Sequence, residues 1–125
     1  MFLVDTNIFL EILLKRNKKE KCKSFLEKHK GELNITDFSL HSIGVILFKY
    51  NKENIFLKFL QDIFPEINLL SLPEDKYNEI VNTKKELKLD FDDAYQYSIA
   101  KYYGLKIATM DRDFKKVRDV EIIFL

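Results

Sequence analysis

Met1-Phe2-Leu3-Val4-Asp5-Thr6-Asn7-Ile8-Phe9 opens the chain. The apolar run Met1–Val4 reads as a buried first strand, and Asp5 closes it. Ile8, Phe9, Ile12 and Leu13 then recur at helical spacing, with Thr6 or Asn7 placed to cap that helix. A carboxylate just past a buried strand stands on the edge where open α/β sheets bind ligands. Burying it there is costly without a partner.

The same pattern returns near the other end. Leu105–Thr109 reads as a strand, followed by Asp111 and Asp113, and Val120–Leu125 as the last strand. Between the two ends, helices and strands alternate. Asn17 begins a helix with Cys22, Phe25, Leu26 and His29 on one face, and Gly31 ends it. Leu33–Thr36 is a second strand. Asp37 or Ser39 caps the helix that runs through Ile43, Ile46, Leu47 and Tyr50. Asn51 opens a helical stretch with Ile55, Phe56, Phe59, Leu60 and Ile63, stopped by Pro65. Ile67–Leu72 is a third strand, and Pro73 suits the first position of a helix carrying Tyr77, Ile80, Val81 and Leu87. Asp90–Tyr103 is a helix that is apolar almost all round, which predicts deep packing. This alternation predicts an α/β fold with a mostly parallel sheet and right-handed crossovers. If the first and fourth strands are neighbours, Asp5 and Asp111 face each other, and Asp93 at a helix start leans in beside them.

A chain of 125 residues suffices for one domain, 1–125, with a core of its own. The one cysteine, Cys22, cannot form an internal disulfide, which suits a reducing cytoplasm. The N-terminus is apolar, but Asp5, Asn7 and Glu11 interrupt it, so neither a signal peptide nor a membrane span is expected. Net charge is +1, so average charge points to no partner. Locally, Lys15, Arg16, Lys18, Lys19, Lys21, Lys23, Lys28 and Lys30 face only Glu20 and Glu27. A solvated helix face is the first reading of that run, and a phosphate-tracking patch the second.

The chemistry on offer is that of oxygen ligands. The chain has no Gly-rich phosphate loop, no HExxH, no CxxC, and only His29 and His41, so a His-rich zinc site is not expected. Clustered carboxylates repel until a cation neutralises them, and Mg²⁺ or Mn²⁺ takes such ligands together with a substrate phosphate. Each acid also has a structural reading. Asp5 can cap a helix, one of Asp90, Asp92 and Asp93 is a cap, and Asp111 and Asp113 suit a turn.

At these residues the chain resembles the PIN-domain proteins, the fold of VapC-type toxin ribonucleases. The resemblance rests on Val4-Asp5-Thr6-Asn7, on Asp93-Ala94 opening a helix with Ala100 two turns on, and on Thr109-x-Asp111-x-Asp113-Phe114. It implies a three-layer fold, with a central five-stranded, mostly parallel sheet flanked by helices. It implies a Mg²⁺- or Mn²⁺-dependent endonuclease cutting single-stranded RNA to 5′-phosphate and 3′-hydroxyl ends, a homodimer, and an antitoxin partner. Asp5, Asp93 and Asp111 would be metal ligands and Asp113 auxiliary, with Thr6 and Thr109 positioning backbone and water. The family usually carries a glutamate early in the third helix. Here Ser42 holds that place, or His41 on a shifted alignment, and the loss of an anion weakens cation binding. Asp37 substitutes only if the start of that helix carries it across.

Two further functions compete with a nuclease. One is a catalytically weak PIN-like module that binds RNA or protein, suggested by the missing glutamate. The other is a phosphatase with Asp5 as nucleophile, disfavoured because Asn7 stands where its second aspartate belongs. Tyr95, Tyr97, Tyr102 and Tyr103 suit core or dimer contacts better than base stacking. His41 serves either a phosphate or the structure.

Overall fold

The computed structural model describes residues 1–125. Five strands form one sheet in the order β3-β2-β1-β4-β5: β1 Phe2–Val4, β2 Leu33–Thr36, β3 Asn68–Leu70, β4 Lys106–Thr109 and β5 Ile122–Phe124. Every pairing is parallel, with Phe2 opposite Leu33 on one side and Lys106 on the other. β1 is buried throughout, as expected of a central strand covered on both faces. Strand order reverses between β1 and β4, so the crevice at their carboxyl ends is the ligand position of an open α/β sheet.

The period-2 alternation of β1 feeds two cores. Phe2 and Val4 pack with Ile8, Phe9, Ile35, Leu47 and Phe59 on one face. There lie α1 (Thr6–Leu13), α2 (Lys19–Lys28), α3 (Asp37–Lys49) and α4 (Glu53–Asp62). Leu3 points the other way, into a core with Leu89, Tyr95, Ile99, Ile107 and Phe114 beneath α5 (Asn78–Leu87) and α6 (Phe91–Tyr103). No helix is long and apolar enough to cross a membrane.

Several boundaries depart from the pattern reading. Neither Thr6 nor Asn7 caps α1. Asp5 holds the cap position in an extended conformation, yet makes no side-chain cap bond, because its carboxylate is engaged elsewhere. Thr36 caps α3, its Oγ1 accepting from the Ser39 amide at 2.9 Å. Asp37 and Ser39, the expected caps, are already inside the helix. Asn51 does not open α4; at φ 57° it takes the left-handed conformation that ends α3, where asparagine is tolerated. α2 likewise starts at Lys19 rather than Asn17, after Glu11 Oε2 has accepted from the Lys18 amide at 2.8 Å. Pro73 precedes a short 3₁₀ turn, Glu74–Lys76, and α5 begins only at Asn78. β3 and β5, the edge strands, are three residues each and shorter than their apolar runs.

The α6 expectation holds in its middle. Asp93 through Ala100 are all buried, whereas Phe91, Tyr102 and Tyr103 at the ends are exposed. Tyr95 and Tyr97 belong to the core.

Candidate metal centre and active site

β1 and β4 deliver the first two acids to neighbouring positions. The Asp5 amide donates to the Ala108 carbonyl at 2.9 Å, continuing the β1–β4 ladder one residue past the strand. Thr109 ends β4 and joins the two loops. Its Oγ1 donates to Asp5 Oδ2 at 2.6 Å and accepts from the Asp111 amide at 2.9 Å. Asp111 Oδ1 in turn accepts from the Asp113 amide at 2.9 Å, which folds the following 3₁₀ turn.

α6 delivers the third acid. Asp90 caps this helix, its Oδ1 accepting from the Asp93 amide at 3.4 Å. That cap turns Asp93 inward, where it is 3% exposed. Carboxylate oxygens of Asp93, Asp111 and Asp113 lie within 4.8 Å of one another, as do those of Asp90, Asp92 and Asp93. Only the first group unites acids from distant parts of the chain. Asp5 belongs to neither group, although it adjoins Asp111 through Thr109.

The electrostatics separate these acids. Burial pushes the Asp93 carboxyl up to about 9, and the neighbouring Asp111 and Asp92 carboxylates add to the rise. Burial also raises Asp92, to about 6, as does its hydrogen bond to Asp90, while that same bond lowers Asp90. Asp5 is raised by burial too, but donors from Thr109 and Gln96 oppose the rise by favouring the anion.

Gln96 is the residue that pattern reading missed. Its Nε2 donates to Asp5 Oδ1 at 2.8 Å, so both oxygens of Asp5 are held. A carboxamide within the buried stretch Ala94–Ala100 needs a partner, and that was the available signal. Thr6, for its part, donates to Ser39 Oγ at 2.8 Å, tying α1 to α3.

Ser42 and His41 line a neighbouring cleft. Shared with Phe38, Tyr77, Phe91 and Tyr95, it is largely apolar, about 520 Å³ in volume, and its one acid is Asp37. Asp37 does not cross to the cluster; its Oδ1 accepts from Tyr95 Oη at 2.8 Å.

The donor set fits a hard divalent cation. All its atoms are carboxylate oxygens, and Asp93 Oδ2 is buried with no hydrogen-bond partner. A cation would satisfy that oxygen and offset the burial and repulsion that hold Asp93 protonated.

No curated protein matches the chain in sequence. Solved structures resemble it closely in fold. A toxin–antitoxin complex from Klebsiella pneumoniae is 23% identical, with a TM-score of 0.79, covering 96% of this chain and 95% of that one. VapBC2 from Rickettsia felis, bound to a DNA fragment from its promoter, is 16% identical at a TM-score of 0.80, covering 97% and 96%. VapC20 from Mycobacterium tuberculosis, a sarcin–ricin loop cleaving toxin, is 12% identical at a TM-score of 0.79, covering 94% and 99%. The parallel sheet, the acids gathered at its β1–β4 crevice, and a match of residues 2–120 to the PIN domain family agree: the chain belongs to that family.

Proposed function

We propose that this chain is a Mg²⁺- or Mn²⁺-dependent endoribonuclease that cleaves single-stranded RNA. One observation carries the proposal: Asp93, whose buried Oδ2 has no hydrogen-bond partner, groups with the carboxylates of Asp111 and Asp113 at the switch point of the sheet. Asp93 and Asp111 hold the cation, Asp5 completes the site beside them, and Asp113 is auxiliary. When bound, the ion supplies water activation and neutralises charge on the scissile phosphate. The chain itself does the rest. Thr109 and Gln96 fix the orientation of the Asp5 carboxyl group, and the Asp90 cap fixes the start of α6 and with it Asp93.

The basic loop after α1 supports a polyanionic substrate. Met110, next to Asp111, borders a shallow pocket with Glu11, Arg16, Asn17 and Lys18. Cations therefore stand on the rim of the acidic crevice, placed for the backbone of a strand entering it. Membership of the PIN family and likeness in fold to toxin–antitoxin complexes support a role as the toxin of such a pair. On this reading residues 1–125 form a single domain that acts as a cytoplasmic homodimer, blocked by an antitoxin protein.

The test is cleavage of single-stranded RNA by purified protein with Mn²⁺. The proposal expects cleavage that stops with chelator and with Asp5→Asn. Cleavage indifferent to both would reject it. A second reading, a weak or inactive PIN-like module that binds RNA or protein, draws on Ser42, which lines an apolar cleft and brings no anion to the site. It expects salt-sensitive binding without turnover, and activity gained by Ser42→Glu. If that substitution changes nothing, Ser42 is not the place of the family glutamate.

A further inference from the structure

Across the whole chain, two buried side-chain atoms lack a hydrogen-bond partner: Asp93 Oδ2 and Gln96 Oε1. They belong to residues three apart on α6, hence on one helix face. Helical side chains lean toward the N-terminus, so Gln96 reaches back over the turn that carries Asp93. Gln96 is only 1% exposed, which denies its carbonyl any bulk water. Its other end is already committed, because only the N–H₂ of a carboxamide can face a carboxylate, and Nε2 donates to Asp5 Oδ1 at 2.8 Å. An orphaned buried acceptor costs stability unless a water or an ion completes it. Two of them on one helix face, at the group formed by Asp93, Asp111 and Asp113, mark a place that donors from outside the chain would complete.

We infer that Gln96 is a positioning residue of the metal centre: Nε2–H₂ orients Asp5, and Oε1, like Asp93 Oδ2, is left for the donors that a hydrated divalent cation brings. This rests on the reading of the crevice as a cation site. Gln96 thereby couples α6 to β1, so the acid on the strand and the acid on the helix are set against each other by one side chain. Partners of this outer kind typically govern metal affinity by about 10–100-fold.

The test is calorimetric titration of Mn²⁺ alone into the full chain and into Gln96→Leu, with thermal unfolding of both metal-free proteins as a check on folding. Wild-type binding, with affinity lower by about tenfold or more in a folded Gln96→Leu protein, is the expected result. Equal affinities overturn the role of Gln96 and leave the cation site standing. No binding by the wild type overturns both. Should Gln96→Leu fail to fold, the side-chain amide resonances of Gln96 in the wild type decide the matter. They move when Mg²⁺ is added if the inference holds, and staying fixed while Mg²⁺ binds overturns it.

Discussion

Two buried carboxylates, one at the β1–β4 corner and one at the start of α6, are supplied in opposite ways. Asp5 is 4% exposed and Asp93 3%, so burial does not distinguish them. Asp5 has a donor on each oxygen, from Thr109 and Gln96. Asp93 has an oxygen with none, beside two further acids. The first corner is finished by the fold itself, and the second is finished only when a cation arrives. A metal site of this kind needs both: a rigidly held acid that sets geometry and an unsatisfied one that makes binding favourable.

The largest break in that comparison is Asp93→Asn. It removes the anion that the cation needs, so RNA cleavage in Mn²⁺ should fall beyond the roughly 100-fold upper range of outer-shell losses. The same change should stabilise the metal-free protein at neutral pH. Asp93 holds its proton up to about pH 9 when folded, against an ordinary value of 3.8. Between those values the folded chain binds more protons than the unfolded one. The contribution of Asp93 to stability is therefore fully present below the lower value and is lost as pH rises toward the upper. Asp92, at about 6, adds to the decline in the lower part of that window. Each pKa unit is worth about 1.4 kcal/mol, so the slope is measurable by denaturant unfolding in chelator. Asp93→Asn should flatten it. A slope unchanged by the substitution would detach it from Asp93.

Thr109→Val attacks the finished corner instead. It removes the short donor to Asp5 and the acceptor for the Asp111 amide, and should cost about 2 kcal/mol. Unfolding and Mn²⁺ titration together check it, with a loss of affinity of about tenfold expected. The mildest change sharpens the contrast from outside the acids. Thr6→Val breaks only the neutral hydroxyl pair with Ser39, and should cost about 1 kcal/mol with Mn²⁺ affinity retained. Lost affinity there would mean that the α1–α3 contact belongs to the site after all.

Much of this was legible in the sequence because strongly apolar strands announce themselves. Met1–Val4 and Leu105–Thr109 frame Asp5 and Asp111, and α/β rules make neighbours of strands at such a switch point. What pattern reading lost was the assignment of individual polar atoms. Thr36, read as the last residue of a strand, also caps α3, since one hydroxyl can end one element and start the next. Asp5 occupies a cap position without capping, because stronger partners claimed its oxygens. Gln96 was invisible to periodicity, which sees only that a helix is buried and not which of its polar groups meets an acid 91 residues away.

Anomalous diffraction from crystals soaked in Mn²⁺ tests the central claim most directly. The account predicts a manganese peak touching Asp93 Oδ2 and an oxygen of Asp111, with Gln96 still holding Asp5. No peak in the crevice, or one elsewhere that leaves Asp93 Oδ2 unpartnered, would contradict it.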